Sequence, residues 1–533
     1  MTLGDLSSEV LLNIFLHCLD DSPRFWPTLV HVCQIWRRII FTSPRTLYLR
    51  LICKHGTPVL KTLSCWPALP ITVQYGGSPT LEPPSCEDEE NVMAALEQSD
   101  RVSSISLTIT SSLLAKFQFF PIGEPLNFSG LENLVLRSQN PSGLAFPSTF
   151  EWGSRLRHLH STGIAFPALP RLLLPSVDLV DLQLHEVPGV GYFSPEAFAI
   201  ALSGMTQLQT LSLHFLSPAS RPRHIVLSPA ERFVLPALTH LKFRGASEYL
   251  NSLVARIDAP GLVDFEIRFF NQLIFHLSEL GQFINRIEMQ RSHRRANIAF
   301  SGHDVSIFFT QPGVPARLTI HISCDQFDWQ LSSMAQICGH EFPFLSSIQD
   351  LRIVTPKRSS LVDDVSSEQW LDLVRGFDGA KDFHVAGELA ADILRALRPV
   401  DGGHTTVLPS LQKLLLPRIA SPKPLQDAVE SFTTLRRLSG HPVQEYPPLL
   451  PIRVQEHPPA PCYVQKPPVP KQRYVCNICS KHFAHPQGRA RHIKDKHMPQ
   501  NTCSFCSVFK WSPGRKYLYR RHLRKSHRPR AHA

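Results

Sequence analysis

No apolar run in this chain approaches the roughly 20 residues needed to cross a bilayer, so no membrane-spanning helix is expected. Residues 1–10 carry acids and no basic cluster, so no secretory leader is expected either. There is no Gly-rich phosphate loop, no nucleophile elbow and no open-site metal motif, which argues against an enzyme. The 25 histidines are too dispersed to read as a catalytic set. Of the 12 cysteines, eight (Cys18, Cys33, Cys53, Cys65, Cys86, Cys324, Cys338 and Cys462) lack paired spacing. They read as free thiols of a reducing compartment, nuclear or cytoplasmic. Acidic residues nearly vanish from the C-terminal end. Residues 471–533 hold 16 Lys and Arg against Asp495 alone, a net charge of +15. The preceding 470 residues hold 39 basic against 43 acidic side chains, a net −4. That asymmetry points to a polyanion near the tail.

The same tail carries two matched sets of soft ligands. Cys476, Cys479, His492 and His497 follow C-x2-C-x12-H-x4-H. Cys503, Cys506, His522 and His527 follow C-x2-C-x15-H-x4-H. Two thiolates on a tight turn and two imidazoles near a helix end can close a tetrahedron around one Zn²⁺. Four protein ligands leave no position for a catalytic water, so two structural zinc ions are expected. Both proline offsets from the second Cys are seven (Pro486 and Pro513), so the three extra residues of the second set lie after Pro513. Either Pro513 opens a helix about one turn longer, or Ser512-Pro513-Gly514 is a turn. Gly514, a poor early-helix residue, favours the turn.

The two units resemble Cys2His2 zinc fingers. Tyr474 and Phe483 stand where that family keeps core aromatics, while Arg489 replaces its helix leucine. The resemblance implies ββα folds over 473–498 and 501–529, ordered by metal binding worth roughly 10–16 kcal/mol. It also implies helix residues aimed at base edges: His485, Gly488 and Arg491 in the first finger, Arg515, Leu518 and Arg521 in the second. Gly488 can read nothing, and the Met498–Thr502 connection lacks the Thr-Gly-Glu-Lys-Pro linker. Sequence-tolerant contact with DNA or RNA phosphates is therefore expected over base readout. The run Arg520-Arg521-His522-Leu523-Arg524-Lys525 also suits a nuclear address.

At the other end, residues 3–48 show two apolar helix patterns separated by Asp20-Asp21-Ser22-Pro23. The runs LSSEVLLNIF and LVHVCQIWRRI resemble an F-box, with Ser7 where that family usually has Pro. The resemblance implies docking on the small adaptor subunit of a cullin–RING ubiquitin ligase, through Leu6, Val10, Ile14, Val32 and Trp36. An ordinary helical cap on the next domain is the alternative.

From about 100 to 440 the phrase L-x-x-L-x-L recurs, as at Leu131-Leu134-Leu136, Leu179-Leu182-Leu184, Leu208-Leu211-Leu213, Leu238-Leu241-Phe243, Leu262-Phe265-Ile267, Ile348-Leu351-Ile353 and Leu411-Leu414-Leu416. Weaker copies begin at Val102, Leu156 and Leu435. Neighbouring starts at 131, 156, 179, 208, 238 and 262 are 23 to 30 residues apart, the period of one strand plus a helix or loop. Stacked units would share one core and aim residues such as Glu132, Asn133, Gln183 and Lys242 outward. The pattern resembles the leucine-rich repeats that follow the F-box in many fungal proteins. A conventional α/β domain is the rival. Residues 268–345 are less regular and suggest insertions, and residues 81–90 read as an acidic surface loop. Ten prolines between Pro442 and Pro470 mark an extended linker.

The expected architecture is thus an α/β leucine-rich-repeat solenoid (101–440) behind an F-box-like helical hairpin (1–60) and a connecting segment (61–100). A proline-rich linker (441–472) leads to the two fingers. The expected role is substrate selection for a ubiquitin ligase, with a protein substrate held on the solenoid. A nucleic-acid-binding regulator is the alternative.

Overall fold

The recurring apolar phrase folds in one way at each regular copy. Its first residue closes a turn, donating its N–H to the carbonyl three residues back: Leu131 to Phe128, Leu208 to Met205, Leu238 to Leu235, Leu262 to Ala259, Ile348 to Leu345. The chain then extends, and the later apolar positions enter a strand whose alternate side chains are buried. One carbonyl just before each strand accepts from two successive N–H groups of the next. Val180 O takes Gln209 and Thr210, Gln209 O takes Thr239 and His240, and Thr239 O takes Val263 and Asp264. This shared acceptor steps each strand onto the last in the same register.

The computed structural model describes residues 6–446, except 22–25, 43–48, 55, 57, 67, 77–85, 119–125, 139–144, 148–149, 218–231, 288–292, 312, 314–316, 341, 356–365, 399–406 and 417–422. Beyond 446 it describes 474–475, 482–483, 501–502 and 510–511. The chain divides into two units, Met1–Leu449 and Leu450–Ala533.

The first unit is mixed α/β, built on one 16-stranded and mostly parallel sheet. Its strands are β1 (Leu49–Ile52), β2 (Ile71–Tyr75), β3 (Val102–Ile109), β4 (Asn133–Ser138), β5 (His158–Thr162), β6 (Asp181–Val187), β7 (Thr210–Phe215) and β8 (His240–Gly245). They continue with β9 (Asp264–Phe270), β10 (Arg295–Phe300), β11 (Asp304–Thr310), β12 (Arg317–Ser323), β13 (Asp350–Val354), β14 (Asp382–Ala386), β15 (Lys413–Leu415) and β16 (Gln444–Tyr446). Spatial order follows the chain from β1 to β9, then runs β12, β11, β10, and resumes from β13 to β16. The pairs β10–β11 and β11–β12 are antiparallel. They fall in the stretch where the sequence pattern lapses.

Helices cover one face. Leu182, Leu211, Leu241, Phe265, Leu351 and Phe383 are buried in one continuous apolar core with Leu202, Leu250 and Phe283 from the helices Pro195–Leu202, Ser247–Val254 and Ser278–Arg286. Phe215 meets Tyr249 at 4.8 Å and Phe265 meets Phe283 at 5.9 Å between ring centroids, joining sheet to helix layer. Each fully buried Leu or Phe stabilises the fold by about 1.5–3 kcal/mol.

Three expectations need correction. Leu435 starts no strand: it lies in the helix Lys423–Leu438, whose buried Leu425, Val429 and Phe432 recur at helical spacing. The acidic stretch is not a solvated loop over 86–90, because Cys86 opens the helix Cys86–Leu96. Its first-turn Glu87, Asp88 and Glu89 favour the positive end of the helix dipole. Glu89 itself is buried, accepting from Thr110 Oγ1 at 2.5 Å and Ser112 Oγ at 2.6 Å, with Lys116 Nζ 3.2 Å away. Residues 81–85 lie outside the described residues. The N-terminal hairpin is three helices: α1 (Ser8–Asp21), α2 (Trp26–Val32) and α3 (Gln34–Thr42). Cys33 breaks the second apolar pattern by capping α3, receiving Arg37 N–H on its carbonyl at 3.1 Å and Trp36 N–H on sulfur at 3.5 Å.

Candidate functional site

Three parts of the chain carry chemistry. In the second unit the described residues form two antiparallel pairs. Tyr474 faces Phe483 and Val475 faces His482, while Asn501 faces Trp511 and Thr502 faces Lys510. In the sequence Cys476 and Cys479 fall between the strands of the first pair, and Cys503 and Cys506 between those of the second. The expected ligands Cys476, Cys479, His492, His497, Cys503, Cys506, His522 and His527 all lie outside the described residues, as do His485, Arg491, Arg515 and Arg521. Among the described residues no cluster of His, Cys, Asp and Glu could hold a metal.

At the N-terminus the helices divide their apolar side chains into two sets. Leu11, Phe15, Leu29, Val30, Ile39 and Ile40 are buried. Leu6 and Trp36 pack partly against them, Trp36 lying 4.6 Å from Phe15 between ring centroids. Val10, Ile14 and Val32 are exposed by 44%, 42% and 55%, and so are Ile35 and Phe41. Of the five residues expected on the docking face, three are therefore open to solvent and two help to support the core. Among the described cysteines Cys33, Cys53, Cys324 and Cys338 are free. Burial pushes the Cys53 thiol up to about 12, with help from Asp88, so it is no nucleophile.

The third part is the sheet face away from the leucines. Residues in register across parallel strands stack into rows. The first row joins His158, Asp181, Thr210, His240, Asp264 and Arg317. The next joins His160, Gln183, Ser212, Lys242, Glu266 and Thr319. Gln183 and Lys242 are thus on the outward face, as the alternation implied, and Glu132 is exposed. Charges in these rows are paired. His160 Nε2 meets Asp181 Oδ2 at 2.7 Å, Arg317 Nε meets Asp264 at 3.1 Å and Lys242 Nζ meets Glu266 at 3.8 Å. Asp350 accepts from both Arg352 and Arg295 and lies 3.4 Å from His384 Nε2. Burial works to raise the Asp350 pKa, but these cations outweigh it and hold the carboxyl below its ordinary range. Sequence reasoning missed this polar network, because pairs across strands depend on register rather than on sequence separation.

Among the described residues no helix is long and apolar enough to cross a membrane. No protein-family model and no curated protein matches this chain.

Proposed function

We propose that this protein selects substrates for a cullin–RING ubiquitin ligase. In this reading α1–α3 form an F-box-like module that docks on the ligase's small adaptor subunit, and a leucine-rich-repeat-type solenoid presents its polar face to a protein substrate. The observation that carries the reading is the exposed apolar set Val10, Ile14, Val32, Ile35 and Phe41 on three short helices, backed by a separate buried set. Exposed apolar side chains, where they form a contiguous patch, mark protein-binding sites. The chain-order stacking of parallel strands, with apolar phrases at a bounded period, supports the repeat assignment. The test is co-purification of the ligase adaptor with the full chain and with V32E/I35E. Loss of adaptor from a variant that keeps its melting temperature supports the reading. Undiminished adaptor sinks it.

The basic tail carries a second reading, a nucleic-acid-binding nuclear regulator. Its support is the net charge of +15 over residues 471–533, together with strand pairs that bracket both C-x2-C sequences. Two zinc ions held by the eight Cys and His ligands would supply the folding energy of units too small to bury a core. A gel-shift series over salt with the full chain tests it. Affinity should fall steeply and log-linearly with salt, and a flat response removes phosphate contact. The two readings are compatible, the tail bringing the ligase to nucleoprotein, and both allow a nuclear or cytoplasmic protein.

A further inference from the structure

One row of the polar face is unlike the others. Near the carboxyl ends of four adjacent strands, His214 (β7) is in register with Arg244 (β8), Arg244 with Arg268 (β9), and Arg268 with His321 (β12). At the usual strand spacing of about 4.8 Å this row spans roughly 14 Å. The paired charges lie in the two rows below it. Among the described residues no carboxylate pairs with Arg244 or Arg268. Like charges directly opposite on neighbouring strands destabilise a sheet, so the two arginines repel, and Glu266 one row below on β9 is engaged by Lys242.

The donors of this row are also unspent. Arg244 Nε and His321 Nδ1 are buried with no hydrogen-bond partner among the described residues, and so is Thr319 Oγ1 one position below. Buried polar atoms are nearly all bonded in folded proteins, so three orphans on two strands ask for a missing partner. The surroundings are preset. The Arg244 guanidinium sits 6.0 Å over the Phe270 ring, and Phe308 stands edge-on to His321 at 5.6 Å. One row below, the buried Ser212 and Thr319 flank Lys242 and Glu266. Open α/β sheets take ligands outside the carboxyl ends of their strands.

We propose that His214, Arg244, Arg268 and His321 form a binding site for a phosphate-class oxyanion, either free or as a phosphomonoester. Two guanidiniums give fork-like donors to a tetrahedral dianion. Arg244 Nε, His321 Nδ1 and the Thr319 hydroxyl would gain the acceptor they lack. The site uses neither α1–α3 nor the tail, and it lies on the polar face that the first reading assigns to a protein substrate.

Titration calorimetry on the full chain tests it, with inorganic phosphate in one arm and a short phosphoserine peptide in the other. Three proteins are compared: wild type, R244Q/R268Q, and R520Q/R521Q as a control for the basic tail. Wild type and the tail control should bind with equal strength, and R244Q/R268Q at least tenfold more weakly. The row variant should melt no lower than wild type without phosphate, because it removes a repulsion. Binding of free phosphate marks a small-molecule site, and binding of the peptide alone marks an esterified ligand; both support the proposal. Absence of binding to wild type in both arms overturns it, as does unchanged binding by the row variant. Should the double variant fail to fold, R268Q alone reads the same loss, and unchanged binding there is equally fatal.

Discussion

The imidazoles of His185 and His214 are stacked, with 4.5 Å between ring centroids and 10° between planes. They meet where β6 slips register against β7, between Leu184 and Val187. The slip places Glu186 at a φ of 54°, a conformation that non-glycine residues rarely adopt. A bulge re-aims side chains, and here it coincides with the ring stack. The Ser212 hydroxyl lies 3.0 Å from Nε2 of His185 and 3.3 Å from Nε2 of His214, so one hydroxyl serves both rings.

That stack sets a pH response. Burial, then the neighbouring His185, Arg244, Arg268 and Lys242, lower the His214 pKa to about 3. The unfolded chain keeps an ordinary histidine, near 6.5. Below that value the unfolded state takes up a proton that the folded state refuses, so stability falls as pH drops from 6.5 toward 3. His214→Gln should flatten urea-unfolding stability across that window relative to wild type. An unchanged slope would contradict the protection of this ring.

Glu89 responds on the acid side by a different route. Burial tends to raise its pKa, but bonds from Ser112 and Thr110 and the Lys116 charge prevail and hold it below the ordinary value. Its contribution is present above about 4.3 and is lost as pH falls through the depressed folded value. Glu89→Gln should cost about 2 kcal/mol at pH 7. The gap from wild type should narrow in acid, measured by denaturant unfolding at pH 7 and pH 3.

The N-terminal helices separate support from display. Phe15 is buried against Trp36, so Phe15→Ala should destabilise the module by about 3–4 kcal/mol. Val32, 55% exposed, should tolerate glutamate within about 0.5 kcal/mol. Proteolysis protection of residues 6–42, read by mass spectrometry, distinguishes the two.

Gly387 adopts a φ of +105°, and a Cβ there would lie 2.3 Å from the Thr355 carbonyl oxygen. Thr355 N–H in turn bonds to the Ala386 carbonyl at 2.9 Å, so the backbone cannot retreat cheaply. Gly387→Ala should lower stability by at least about 2 kcal/mol. A neutral melting temperature would refute the tight approach.

Metal content checks the tail directly. Native mass analysis of the full chain should show two zinc ions, and C503S/C506S should show one. A metal-free wild type would end the finger assignment.

The sequence by itself determined the period. Leucines at L-x-x-L-x-L must turn and then extend, because the first needs a burial site below the turn and the next two share one face of a strand. Leu131, Leu182, Leu211 and Phe265 duly lie in the core. It also carried an unread signal: the residue after the last apolar position is an arginine or a histidine at Arg137, His185, His214, Arg244, Arg268 and His321. Strand β14 escaped notice because Ala380, not leucine, closes its entry turn and Phe383 and Val385 follow. Other features were decided by tertiary structure alone. The reversed order of the antiparallel strands β10, β11 and β12, the burial of Glu89 and the line joining His214 to His321 depend on which strands become neighbours. Register places residues 53 positions apart, Arg268 and His321, side by side. Local propensity is blind to that distance, since the contact exists only after the intervening chain has folded over the sheet.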